Sequence, residues 1–538
     1  MKPYLTLHDP AQTERFYQGG AWARDTFYSL MMTHKQHAPD ALALRDGDVS
    51  LSWAQLQTRV DAMASELRTK GLVEGDRVSL WMSNKAAAVI TFLACSREGF
   101  ACNPSLHKTH TCAEIVTLLS RLNTAALITE PDWGADRSEQ NLAEMLADLA
   151  FLKATYTAST LPQTPKAALD APCSNPDSIS YLAFTSGTTG SPKCVMHSDN
   201  TLLANARDLV RDWGLDRDCI LFSLSPVSHH IAWVGMAQWL VSGGQFVLDD
   251  VPAGMSRLDW ILETGATYVM GVPTHAMDIL AEQKARQFDR LGQVKQFYMA
   301  GAAIPEVVAE AFVKQGIKPQ NVYGMTENSS HQYTHPNDDP QTWISTCGRG
   351  GDGYEVQIFD ADDSNKPAAP GEIGQIGGRG PALMLGYFDN QQATEGSFNN
   401  TGWFLSGDLG QIDAAGNLKI KGRLKDLIIR GGHNIYPSHI EALALRSDAI
   451  EYAAAFAVPD DRLGEKVCLA ITGSLTGAQT LAHLNQMGLS KYDMPEYFIA
   501  LEAFPLTASG KILKRELDAQ LAAGTLVPEP IHFKAKES

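Results

Sequence analysis

The chain has 538 residues, 44% of them hydrophobic and 20% charged, and a formal net charge of −17. That length calls for more than one core, and the composition is that of an ordered globular protein. The acidic balance argues against nucleic-acid partners and against adhesion to anionic membranes, so any anion handling must rest on individual Lys and Arg residues. The opening residues, Met1-Lys-Pro-Tyr-Leu-Thr-Leu-His-Asp-Pro10, lack the apolar core of a signal peptide. The apolar stretch Trp233–Leu248 is broken by Gln238 and Gly243-Gly244, short of the roughly 18–20 residues a membrane span needs. Eight cysteines without a Cys-x-x-Cys pair point to reduced thiols. A cytoplasmic protein without integral membrane association, monomeric or homodimeric, is the expectation.

In chain order, Leu44–Trp53 reads as a hairpin turning at Asp46-Gly47. Leu56, Val60, Met63 and Leu67 recur at helical spacing. Val78–Met82 reads as a buried strand, Ala86–Ser96 as a helix, and Tyr268–Val272 and Gln296–Ala300 as further strands. This alternation predicts an α/β fold with mainly parallel sheets. From Tyr354 to Ile420 short strands and turns indicate a small β-rich unit, and a compact α+β segment follows. The expected division is a large N-terminal domain, 1–424, of several subdomains, and a small mobile C-terminal domain, 425–538.

Tyr181–Phe184 is an apolar run that feeds into Thr185-Ser-Gly-Thr-Thr-Gly-Ser-Pro-Lys193. Gly187 and Gly190 permit positive φ, which lets successive backbone N–H groups turn inward on an anion. Hydroxyls of Thr185, Ser186, Thr188 and Thr189 add donors, and Lys193 adds charge. A polyphosphate suits all three features, yet composition alone leaves a plain Gly/Ser/Thr surface loop equally open. The spacing is not the Walker pattern. Gly348–Gly353 satisfies Gly-x-Gly-x-x-Gly but precedes a strand-like segment rather than a helix, so the dinucleotide reading fails. The adjacent pair His229-His230 has no third ligand spaced nearby and is not read as a metal site.

Further motifs follow in order: Tyr323-Gly-Met-Thr-Glu327, Gly371-Glu-Ile, Arg379-Gly-Pro, Gly386-Tyr387, Gly402-Trp-Phe and Ser406-Gly-Asp408. Gly422-Arg-Leu-Lys-Asp-Leu-Ile-Ile-Arg-Gly-Gly432 and Pro505-Leu-Thr-Ala-Ser-Gly-Lys511 complete the set. Together with the Thr185–Lys193 loop they make the chain resemble the adenylate-forming (AMP-binding) superfamily, in its acyl-CoA synthetase branch.

The resemblance implies an ATP-dependent carboxylate–CoA ligase. A carboxylate attacks the α-phosphate of Mg-ATP and releases pyrophosphate, and a thiol then takes the acyl group from the acyl-adenylate and releases AMP. By the same resemblance Glu327 holds Mg²⁺, Thr326 contacts the α-phosphate, and Tyr323 packs on adenine. Gly301, Ala302 and Ala303 form the adenine-side turn, Asp408 and Arg423 grip the ribose, and Gly324 and Ile420 join the nucleotide contacts. Lys511 drives adenylation by offsetting charge on two meeting anions. His229 marks the acyl site, with Trp233, Val272, Pro273, Ala300, Gly301 and Met325 as its walls. Lys425 is the hinge, and Gly431-Gly432 leave a passage for the pantetheine arm. His433 stands where many relatives carry Glu, which puts that loop's detail in doubt. The apolar walls predict a medium-chain, alicyclic or aromatic monocarboxylate. A luciferase-like oxygenase shares these motifs without a positive sign here, and the stretch after Lys511 is too short for a carrier domain. A non-CoA acceptor, a carrier thiol or an amine, and a non-catalytic adenylate-binding protein are the alternatives.

Overall fold

A computed structural model describes residues 2–185, 192–507 and 510–533. Two large sheets form the body of the N-terminal part. The first has six strands in the order Ala154–Thr157, Ala126–Thr129, Arg77–Trp81, Ala101–Asn103, Ile179–Thr185, Lys193–Ser198. All its neighbours are parallel except the last pair, a hairpin whose arms meet at Thr185 and Lys193. The second has eight strands, with a parallel centre that includes Ile220–Ser223, Tyr268–Gly271, Gln296–Met299 and Lys318–Met325. Both of its ends are antiparallel hairpins.

Between the sheets lies a helical layer. Helix Ala86–Glu98 is buried at every residue, and His230–Ser242 is apolar on nearly all sides, as a helix covered on both faces must be. They share one core with Trp53–Thr69, Asp199–Trp213 and side chains from both sheets. Gly243, at φ 77°, ends its helix in the left-handed cap that glycine favours, and the chain returns as strand Gln245–Leu248. The Trp233–Leu248 stretch is thus a helix and a strand of one crossover. Among the described residues no helix is long and apolar enough to cross a membrane.

Several element boundaries differ from the sequence reading by one or two residues, as in strands Arg77–Trp81 and Gln296–Met299 and helix Ala86–Glu98, and two of the shifts have a visible cause. The first hairpin is Leu42–Arg45 with Ser50–Ser52, and Trp53 opens the next helix instead of ending the strand. A capping box decides this: Ser52 accepts from the Gln55 amide while Gln55 accepts from Ser52. Strand Tyr268–Gly271 stops one residue early because Val272 caps a helix with Pro273 in its first turn, where the missing N–H costs nothing.

The β-rich unit is a four-stranded antiparallel sheet of Glu355–Phe359, Gly374–Arg379, Phe404–Ile412 and Leu418–Arg423. The C-terminal part has its own six-stranded sheet, with Ile450–Asp460, Gly464–Gly473 and Tyr497–Ala500 at its centre. Two apolar cores flank that sheet, and neither includes a residue from the body. The chain is therefore a large α/β body of mainly parallel sheets with a smaller α+β unit docked on it.

Candidate active site

Three parallel strands of the eight-stranded sheet end side by side at Gly271-Val272, Met299-Ala300-Gly301 and Met325-Thr326. Open α/β sheets bind ligands at such carboxyl edges. Gly301 takes φ 89°, and a Cβ there would lie 2.9 Å from Lys511 Cε and 3.2 Å from its Nζ. The C-terminal unit has thus delivered its lysine onto the sheet edge, while Ala302 and Ala303 beside it remain exposed. A turn carries Lys511 there: Gly510 donates its amide to Thr507 O, Thr507 donates to Lys511 O, and Thr274 Oγ1 donates to Gly510 O at 3.1 Å. Loss of hydration and the Arg423 guanidinium push Lys511 down to about 8, with Asp408 and Glu327 opposing.

On the nucleotide side, Asp408 is buried and accepts from the Tyr323 hydroxyl at 2.8 Å, and Arg423 Nε stands 3.4 Å from its other oxygen. Asp408 and Arg423 are direct partners across two strands, which sets their spacing. Burial raises the Asp408 carboxyl, while Arg423 and the Tyr323 hydroxyl pull it back. The Tyr323 ring meets His331 edge-on at 5.5 Å, and Ile420 packs in the cluster beneath it. Gly324 is sterically obligatory, since a Cβ would meet the Ser329 carbonyl oxygen at 1.8 Å.

Glu327 is buried, and Tyr387 donates its hydroxyl to Oε1 at 2.8 Å. The Lys193 ammonium lies over the same Tyr387 ring, 4.7 Å from its centre. Tyr387 therefore links the end of the Thr185–Lys193 loop to the carboxylate expected to hold metal. The sequence reading quoted Gly386-Tyr387 without giving the tyrosine a role. Burial pushes the Glu327 carboxyl up, and the Tyr387 hydroxyl and Lys193 lower it. His197 bonds the Thr326 carbonyl through Nε2 at 2.6 Å and pairs its Nδ1 with Thr201 Oγ1. No motif pointed to His197. Ser186, Gly187, Thr188, Thr189 and Gly190 lie outside the described residues.

On the acyl side, His229 caps helix His230–Ser242, and Ile231 Cδ1 comes within 3.5 Å of the Gly301 β position. Burial and the charge of Lys511 hold His229 well below the usual imidazole range, with His107, His230 and His275 also facing it. Trp233, Val272 and Ala300 share one buried cluster with Ile231, and Pro273 is buried next to Val272. Met325 is not brought into that cluster; it packs on Val195, Met384, Tyr387 and Phe404. His229 and His230 diverge, as His230 bonds Tyr181 and Ser329.

Gly431 and Gly432, at φ 59° and 86°, form the two-residue turn between strands Ile428–Arg430 and His433–Ile435. A turn with both central φ values positive is what glycine permits and other residues resist. Both glycines are exposed, so the Lys511 face of the small unit meets the site while this hairpin faces solvent. His433 pairs with Asp493 at 2.7 Å. Lys425 sits half-exposed in the short helix Leu424–Asp426 that links the two parts. The docked arrangement is held by Arg446 on Glu306 and Glu310, Tyr452 on Asp278, and Ser438 on the Lys421 carbonyl.

Comparison with known proteins identifies the family. The AMP-binding enzyme family matches residues 32–388, and the AMP-binding enzyme C-terminal domain matches residues 439–511. The medium-chain fatty-acid–CoA ligase of Escherichia coli is 28% identical over 96% of this chain and 93% of its own. A feruloyl-CoA synthase of Amycolatopsis is 31% identical over 89% of this chain and 96% of its own. Among solved structures, ATP-bound MatB from Rhodopseudomonas palustris superposes with a TM-score of 0.81 at 26% identity, covering 92% of this chain and 99% of that one. The chain therefore belongs to the AMP-binding enzyme family, in the CoA-ligase branch of the adenylate-forming enzymes.

Proposed function

We propose that the enzyme activates a medium-chain, alicyclic or aromatic monocarboxylic acid with ATP, and transfers the acyl group to coenzyme A in the site built around Lys511. The observation that carries this reading is the Lys511 side chain laid on Gly301, with Asp408 and Glu327 as the carboxylates acting on it. An ammonium at that point offsets the charge that gathers as a carboxylate approaches an α-phosphate. Asp408 accepts hydrogen bonds from ribose hydroxyls, and Arg423 opposes the burial that raises its carboxyl. Thr326 faces the α-phosphate, and the Thr185–Lys193 loop holds the departing pyrophosphate.

Glu327 fits a magnesium site. It is a buried carboxylate that accepts the Tyr387 hydroxyl on Oε1, and a hard dication favours oxygen ligands of that kind. Bound there beside the phosphates, Mg²⁺ would neutralise phosphate charge. Tyr387 orients the carboxylate and shares its ring with Lys193.

The acid is narrowed by chemistry at its pocket. Burial pushes His107 and His275 down to about 4, and burial with the charge of Lys511 holds His229 well below the usual imidazole range. A second carboxylate would meet neutral imidazoles, so a monocarboxylate is favoured. Two relatives are named for medium-chain fatty-acyl and feruloyl products, in keeping with a chain or an aromatic ring. The thiol acceptor enters by the Gly431-Gly432 face after the small unit, residues 425–538, turns about Lys425.

The test is acid-dependent ATP–pyrophosphate exchange across a panel of carboxylic acids, followed by CoA-dependent AMP release with the best of them. Exchange with no acid would refute the enzyme reading. Exchange without thioester formation would refute coenzyme A as the acceptor.

A further inference from the structure

Side chains two apart on a strand share a face, and strand Lys193–Ser198 turns one such face to the nucleotide side. Lys193 lies over the Tyr387 ring, Val195 bridges Tyr387 and packs with Met325, and His197 reaches the Thr326 carbonyl. One face thus begins at the phosphate-loop lysine, passes the tyrosine that bonds Glu327, and ends on Thr326.

The turn that His197 holds, between strands Lys318–Met325 and Ser329–Tyr333, is a costly one. Ser329 takes φ 53° without being glycine, and a residue in that region persists where its surroundings over-determine it. Here they do. Met384 donates its amide to Glu327 O at 2.6 Å, Met325 donates its amide to Asn328 Oδ1 at 3.1 Å, and His230 Nε2 pairs with Ser329 Oγ at 3.1 Å. At Thr326 the hold is His197, 2.6 Å from the carbonyl. A carbonyl oxygen can only accept, so Nε2 carries the proton, and Nδ1, 3.0 Å from Thr201 Oγ1, accepts from that hydroxyl. Burial pushes the imidazole down to about 4, which keeps it neutral with that one N–H. The buried ring also stacks on His230 at 5.7 Å, so its direction is set.

We propose that His197 is a positioning residue for adenylation: by gripping the Thr326 carbonyl it aims the Thr326 hydroxyl at the α-phosphate, and it ties that aim to the strand leaving the phosphate loop. The inference rests on the ligase reading above, in which Thr326 faces the α-phosphate.

Two amides divide the nitrogens of the imidazole between them. His197→Gln keeps an N–H at the place of Nε2 and gives up Thr201. His197→Asn keeps a polar atom at the place of Nδ1 and leaves the Thr326 carbonyl without that donor. The experiment is kcat and KM for ATP in pyrophosphate exchange on the full chain, for each variant alone and combined with Thr326→Ala. His197→Asn should lower kcat about ten- to hundredfold, the scale of a 1 Å misplacement, with little change in KM for ATP. His197→Gln should recover most of the rate. In the Thr326→Ala background His197→Asn should cost little more, because residues acting through one another are not additive. An unchanged kcat in His197→Asn, equal losses in both amides, or losses that multiply in the double variant would overturn the assignment and leave His197 a packing residue. If His197→Asn does not fold, His197→Gln carries the test: a Gln variant that folds as the wild type does but loses the rate overturns it. No exchange by the wild type with any acid, or full exchange in Thr326→Ala, sinks the reading of the site instead, so the two failures are distinct.

Discussion

Replacing Arg446 by alanine should slow adenylation while sparing thioester formation from supplied acyl-adenylate. Arg446 belongs to the small unit, and its guanidinium bonds Glu306 and, at 2.9 Å, Glu310 on helix Glu306–Lys314 of the body. Its side chain is 30% exposed and the two glutamates 41% and 31%, so solvent screens both pairs. Exposed pairs contribute about 0.2–1 kcal/mol each, and one guanidinium shared by two carboxylates gives about 1–1.5 kcal/mol of docking energy. At 1.36 kcal/mol per factor of ten, the docked fraction falls about five- to thirteenfold wherever docking is not saturated. Pyrophosphate exchange measured against salt concentration is the assay. The wild type should lose rate as salt rises and Arg446→Ala should respond little, because screening removes what the mutation has already removed. Arg446→Lys should recover part of the rate but lack the two-pronged grip. Equal loss in both half-reactions, or an unchanged exchange rate at low salt, would refute the reasoning.

Lys511→Ala should lower exchange by about 10²–10³, the range for removing one charge-stabilising donor, with thioester formation from supplied adenylate retained; parallel loss would contradict the role. The same lysine sets a pH limb. Held down at about 8, it keeps its charge below that value and loses it above, so exchange should decline on the alkaline side, later when ATP is bound. Lys511→Arg should lack that limb. Because the unfolded lysine keeps its proton up to about 10.5, folded stability should rise with pH between about 8 and 10.5, as denaturant titrations would register. Gly432→Leu should block thioester formation and leave exchange. Nothing lies within 4 Å of its β position, but φ is 86°, so a stability loss of about 1–2 kcal/mol is expected. Loss of exchange in proportion would count against the assignment.

Much of the site was legible in the sequence because its parts are local. Gly301, Gly324, Gly431 and Gly432 are demanded by positive φ or by backbone within contact distance, constraints that act over a few residues and leave fixed motifs. Asp408 and Arg423 face each other because two short strands pair in one register. The alternation of apolar runs and helical spacings gave the α/β class for the same reason.

What the sequence could not supply are contacts between segments far apart in the chain. Tyr387 bridging Glu327 and Lys193, His197 on the Thr326 carbonyl, and Arg446 on a helix of the other unit have no local signature. Sequence by itself determined the class of chemistry, since motif residues must carry the right groups at the right turns. Only the tertiary structure decided that Lys511 rests on Gly301, because docking depends on the shapes of surfaces assembled from the whole chain.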